Sequence, residues 1–323
     1  MATARTVAGP AALRRRGRFA PGDAILYVLT LLAALAAVVL LVLIAQKVLS
    51  GAWPAMKEFR LGFLTETTWD PPKSIFGAGA FIFGTALTSL GALLLATPIS
   101  IAIALFLTEL APRWLRGPVG ALVEMLASVP SVVLGLWGIL VMGPWLVQTL
   151  SPFLHKTLGW TPFFEGEQNV GSSFLAAILI LTIMIVPIIS SICRELFLNV
   201  PRDLKDGALA LGATRWEVVR GVVFPYARAG IAAAVILGLG RAVGEAIAVT
   251  QVIGNSTNVT FNLFDTGDTL ASRIAGQYQG YTSELHRSSL VYLGVILLAF
   301  SLVVNLAAQL IVRRVARRQQ GRT

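Results

Sequence analysis

Long apolar runs divided by short polar stretches dominate this chain. Six of them, near 24–45, 77–108, 119–146, 174–198, 227–253 and 289–312, are long enough to cross a bilayer. A hydrocarbon core of about 30 Å takes roughly 20 helical residues at about 1.5 Å rise each. Pro98, Pro130 and Pro187 fall inside the second, third and fourth runs and predict kinks supported by neighbouring helices. The first run follows Arg14, Arg15, Arg16 and Arg18, but its 22 apolar residues exceed the roughly 7–15 of a cleaved signal, so an uncleaved anchor is expected. The predicted organisation is a basic tail at 1–23, a first helix with its outer loop at 24–76, a five-helix core at 77–312 and a second basic tail at 313–323.

Composition agrees with lipid as the solvent. The 323 residues are 56% hydrophobic and 13% charged, about half the charge of a soluble domain, for which roughly 25% is usual. A net charge of +10 would point to nucleic acid in a soluble chain, but here the charges flank apolar runs and no aromatic-basic or zinc-finger pattern accompanies them. The single cysteine, Cys193, lies in an apolar run and excludes an internal disulfide or a Cys-based metal site. No cofactor is implied.

Positive charge stays on cytoplasmic flanks during insertion. With both termini inside, 18 of the 26 Lys and Arg fall in the cytoplasm and seven outside, where eight acids, among them Glu58, Asp70, Glu165 and Asp265, also lie. Six all-α spans, N-in and C-in, are the predicted topology. Asn255-Ser256-Thr257 and Asn258-Val259-Thr260 are short outer-loop matches to a glycan acceptor and carry little weight.

The stretch between the fourth and fifth spans, Pro201 to Pro225, is too polar to cross. Asp203 is expected to cap a short helix whose Leu204, Ala208 and Leu211 form one apolar stripe, with Gly212 as its stop. Thr214 and Glu217 are spaced as a capping box for a second helix presenting Trp216, Val219 and Val223 on one face. Considered alone, such a loop fits an amphipathic surface helix held by anionic lipid. Its spacing from Asp206-Gly207-Ala208 through Gly212 to Val222-Val223-Phe224-Pro225 resembles the E-A-A-x-x-x-G signature of ATP-binding cassette (ABC) importer permeases, with Asp, Gly, Val and Phe as conservative departures. The resemblance implies a six-helix type I permease whose loop docks on an ATPase subunit. No G-x-x-x-x-G-K-[ST] loop occurs, so ATP hydrolysis would belong to another chain.

In the fifth run, Arg241 lies near the expected bilayer midplane and Glu245 follows at i+4 on the same face. A charge there costs about 2.5–3.5 kcal/mol on insertion scales and should face a cavity or a partner. A guanidinium fork matches an oxyanion in bidentate fashion, with Glu245 as an orienter or gate, whereas the plainer reading is a buried ion pair that fixes packing. Gly238, Gly240 and Gly244 would thin this helix for close approach. Arg241-Ala242-Val243-Gly244-Glu245 and the stretches 83–89, 105–112, 129–138 and 252–255 resemble the C-type permeases of phosphate-specific transport, although Ala246 stands where that family usually has Thr. The resemblance implies inorganic phosphate as cargo, a homologous A-type permease, an ATPase subunit and an external phosphate-binding protein as partners, and the bacterial inner membrane as location.

Other residues promise less. His155 and His286 are read as solvated loop histidines, and Glu109 and Glu124 as snorkelling or capping groups at inner helix ends. Thr85, Thr88, Ser89, Ser128 and Ser131 can line a polar path or cement helix contacts. Sulfate or molybdate is the rival cargo, a stand-alone secondary transporter is the rival class, and no nucleophile–base pair or metal cluster favours an enzyme.

Overall fold

The computed structural model describes residues 21–320, which fall in two compact units divided between Ser50 and Gly51. The arginines expected in the N-terminal tail, Arg5, Arg14, Arg15, Arg16 and Arg18, and Arg322 lie outside the described residues. The first helix, α1 (Pro21–Phe59), is a single 39-residue element in which Pro54 sits near the C-terminal end.

Beyond α1 come α2 (Gly62–Thr65) and a two-strand antiparallel ribbon, β1 (Trp69–Asp70) with β2 (Ile75–Phe76). Then α3 (Gly79–Leu105) runs into a π turn, Phe106–Leu110. After α4 (Arg113–Ala127), one span is assembled from α5 (Ser131–Trp137), α6 (Gly143–Trp145) and α7 (Ser151–Leu158), joined by π turns. The central helix α8 (Phe174–Leu198) precedes the loop helices α9 (Arg202–Ala210) and α10 (Arg215–Val218). A π turn leads on to α11 (Phe224–Gly244), then α12 (Ile247–Val252), α13 (Leu270–Gln277) and α14 (Glu284–Gln320). Among the described residues, six helical segments are long and apolar enough to span a membrane.

The fourth span starts and stops as the hydrophobic pattern predicts, because Ser173 caps it through the Ala176 N–H and Pro201 follows its end. The third does not. Pro130 kinks no helix: α4 stops at Ala127, and Pro130, extended at ψ 138°, is the N-cap from which α5 starts. The predicted run 119–146 therefore divides into the amphipathic α4 and a span beginning at Ser131. Pro98 and Pro187 do stay inside their helices. Ser100 Oγ donates to the Val186 carbonyl at 3.1 Å and ties α3 to α8 beside Pro187.

Two cores hold the second unit together. The larger surrounds α8, whose Ile180, Leu181, Ile185 and Ile189 are fully buried against α3 and α11. Gly238 permits the α11 contact, because a Cβ there would meet Ile185 Cγ2 at 2.6 Å. Gly240 and Gly244, expected to act likewise, do not: a Cβ at Gly240 would only touch Asn305 at 3.9 Å, and one at Gly244 would meet nothing within 4 Å among the described residues. The second core is aromatic: Phe63 stacks on Tyr292 at 4.5 Å, while Trp69 meets Phe76 and Phe81 edge-on. It clamps the 62–76 segment onto α14. His286, expected in solvent, is buried in this cluster with its ring stacked on Phe76. Trp69 Nε1 and His286 Nε2 both approach Gln277 Oε1, at 2.8 and 3.2 Å.

Candidate functional site: the Pro201–Pro225 loop and the break after Arg241

Helix α9 begins after Pro201 without a side-chain cap, so Asp203 is a first-turn acid and not the expected cap. It ends as a Schellman turn. Gly212, at φ +86°, lets the Ala213 N–H reach the Ala208 carbonyl (3.1 Å) while the Gly212 N–H reaches that of Leu209 (2.9 Å). The capping box of α10 forms as its spacing predicts: Thr214 Oγ1 accepts from the Glu217 N–H and Glu217 Oε2 from the Thr214 N–H at 2.7 Å.

Leu204 and Leu211 are exposed and Ala208 half-buried, so the apolar stripe of α9 has no partner among the described residues. The opposite face is anchored. Lys205 Nζ donates to Glu109 Oε1 at 2.6 Å and to the Phe197 carbonyl at 3.2 Å, so one ammonium joins α9 to the π turn after α3 and to the last turn of α8. Glu109 is thus an ion-pair partner and not a snorkelling group. Glu124 likewise pairs with Arg194 at 3.2 Å. The predicted face of the second helix is also revised, because Val218, Val219 and Val223 turn inward while Trp216 faces solvent. The π turn Val219–Val223 shifts the register by one residue and carries the helix through Pro225, so no loop separates α10 from α11. Asp206, Gly207 and Ala208 lie together mid-helix in α9, and Pro225 opens α11.

The predicted fifth span is broken. Helix α11 stops at Gly244; Glu245 is extended (φ −72°, ψ 120°) and α12 starts at Ile247. Arg241 and Glu245 still meet, but across the break and loosely, with Nη2 to Oε2 at 3.8 Å. Glu245 is buried, and its Oε1 accepts from the Ala248 N–H at 3.3 Å, so the carboxylate ties the two helix fragments together. Arg241 is half exposed and makes no hydrogen bond among the described residues, which leaves its guanidinium donors free. In membranes a discontinuous helix persists where it lines a cavity or is buried in protein.

Residues 96–317 match the family described as binding-protein-dependent transport system inner membrane component. A phosphate transport system permease protein PstC of Mesorhizobium japonicum is 42% identical over 302 residues, 92% of each chain. The PstC of Haemophilus influenzae is 42% identical over 88% of this chain and 91% of its own, and a probable PstC of Methanocaldococcus jannaschii 34% identical over 86% and 90%. This chain belongs to the PstC permease family. Two crystal structures of a bacterial ABC transporter importing alginate contain chains with the same fold at TM-scores of 0.61 and 0.60. The first is 17% identical over 91% of this chain and 95% of its own. The permease is therefore an all-α, type I ABC importer subunit of the inner membrane, and ATP hydrolysis is carried by a separate chain. Membership removes the stand-alone secondary transporter from consideration.

A second charged pair escaped the sequence reading. Asp268 and Arg273, taken as ordinary outer-loop charges, are both buried with Nε to Oδ2 at 2.7 Å. Burial pushes the Asp268 carboxyl up and the Arg273 guanidinium down from their ordinary values, and their mutual attraction opposes both. Thr269 N–H and Ser272 Oγ also donate to Asp268 Oδ1, and Arg273 Nη2 donates to the Asn255 carbonyl at 3.1 Å. The only sequence signal was the Thr269–Ser272 capping pair beside two charges of opposite sign. Thr85 Oγ1 accepts from the Leu270 N–H at 3.0 Å, so this hydroxyl cements a contact, as Ser100 does.

Proposed function

We propose that this permease passes inorganic phosphate into the cytoplasm, receiving it from an external phosphate-binding protein of PstS type. It acts beside a homologous PstA-type permease, and PstB-type ATPase subunits drive it. The observation that carries the reading is the exposed Arg241 guanidinium at a helix break in the span, on a chain about 40% identical to named phosphate permeases over nearly its whole length. A planar fork with unused donors offers paired hydrogen bonds to an oxyanion, and Glu245, held by Ala248, keeps that fork oriented when no anion is present.

Alternating access follows if ATP-driven closure moves α9 and α10, with Asp206, Gly207, Ala208, Gly212 and Pro225 forming the element that the ATPase grips. Both termini and the 201–225 loop then lie in the cytoplasm, as the distribution of Lys and Arg favours. The test is uptake of radiolabelled phosphate by vesicles containing the assembled transporter. Arg241→Ala should abolish uptake without loss of assembly, and unlabelled sulfate or molybdate should not compete. Retained uptake in the variant refutes the role of Arg241, and competition by sulfate refutes the cargo.

A further inference from the structure

A cavity of about 700 Å³ opens between α9, α10 and the segment that joins α3 to α4. Its polar rim carries Arg113, Arg116, Lys205 and Arg215 against Glu109 and Asp206. Lys205 and Glu109 neutralise each other at 2.6 Å, which leaves three guanidinium groups facing a single carboxylate. Arg116 is held in place by its own Nε, which donates to the Ala111 carbonyl at 2.8 Å. Leu105, Leu110, Val218 and Val219 add an apolar lining, and the exposed Trp216 lines the cavity as well.

We propose that this cavity is a binding site for an anionic phospholipid, the headgroup phosphate lying among Arg113, Arg116 and Arg215 and the acyl chain along Leu105 and Leu110. Three features favour lipid over another anion. Excess cationic charge and apolar lining meet in one cavity, which a free phosphate ion would not require. Tryptophan is among the residues that settle at the headgroup level, and Trp216, which lines the cavity, is exposed. Finally, α9 at about 100° per residue turns Lys205, Asp206 and Leu209 toward the cavity, and Leu204, Ala208 and Leu211 the other way. A lipid would thus leave the Leu204–Ala208–Leu211 stripe free for a docked ATPase, Asp206 being the one residue of the proposed grip that also lines the cavity. The orientation proposed above puts the site in the inner leaflet.

The experiment is native mass spectrometry of the assembled, detergent-solubilised transporter with phosphatidylglycerol, phosphatidylcholine or inorganic phosphate added. One phosphatidylglycerol should be retained in preference to phosphatidylcholine. At roughly five- to sixfold per cation near a membrane surface, Arg113→Gln with Arg215→Gln should weaken retention by roughly thirtyfold. Arg113→Lys with Arg215→Lys keeps the charge and should retain the lipid, which separates loss of the site from loss of folding. Arg287→Gln, on a different part of the surface, should change nothing. Equal retention of phosphatidylcholine, an unaffected double Gln variant, or displacement of the lipid by millimolar inorganic phosphate overturns the proposal. Retention by the permease pair stripped of its ATPase subunits but not by the assembled transporter would show that the cavity belongs to a protein partner, and would overturn it as well.

Discussion

Replacing Gly212 with alanine tests the loop at the point where backbone geometry alone sets the outcome. At φ +86° a Cβ built on this residue meets nothing within 4 Å, so the substitution introduces no clash and its whole cost is conformational. For an L-residue held in the left-handed region that cost is roughly 1–2 kcal/mol, and at about 1.4 kcal/mol per factor of ten the Schellman-closed loop becomes about five- to thirtyfold less populated relative to open alternatives. Asparagine, which tolerates this region, should fall between glycine and alanine, and valine below alanine. Gly207 is the internal control. It lies inside α9 with nothing within 4 Å of its Cβ position, and alanine there should stabilise the helix by roughly 0.8–1 kcal/mol while matching the permease signature. The assay is substrate-stimulated ATP hydrolysis by the reconstituted transporter, with membrane abundance as the folding check. The reasoning fails if Gly212→Ala couples like the wild type, or if Gly207→Ala is the more damaging of the two.

Other outcomes follow from particular contacts. Lys205→Met and Glu109→Gln should each lower stimulated ATP hydrolysis, and a double-mutant cycle should return a coupling of about 0.5–3 kcal/mol, as for residues in direct contact; additive effects would deny the link between α9 and α3. Asp268→Ala leaves the buried Arg273 without its counter-charge and should destabilise the protein by about 3–5 kcal/mol, seen as a lower Tm in detergent, whereas an unchanged Tm would count against a structural role for the pair. Thr214→Ala removes one half of a capping box and should cost about 0.5–2 kcal/mol of local stability, read as faster amide exchange across Arg215–Val218.

Hydrophobic pattern, capping residues and the glycine stop made much of this molecule legible. The fourth span, the Thr214–Glu217 box and the Gly212 turn all rest on short-range rules, which a sequence states directly. What stayed hidden depends on competition between neighbouring segments. Pro130 reads as a kink because the apolar run continues through it, whereas the preceding helix has already stopped at Ala127 and packs apart, with Glu124 paired to Arg194. The break at Glu245 has no proline to mark it, and arises where the carboxylate caps α12 instead of continuing α11. The π turns after Leu105 and before Phe224 leave no signal that period counting can detect, yet the second decides which way Val219, Val223 and Trp216 point. Partners such as Lys205 with Glu109, 96 residues apart, are likewise beyond local rules.

The three-way grip of Lys205 bears on how force travels through this subunit. Because the same ammonium holds the end of α8 and the turn beyond α3, a push on α9 would be delivered to two helices at once, and those two pack against each other in the larger core. Such a joint has little compliance. Under the proposed coupling the load moves a stiff block, and the Glu245–Ala246 break beside the Arg241 guanidinium is one of the interruptions of the chain at which that motion is absorbed.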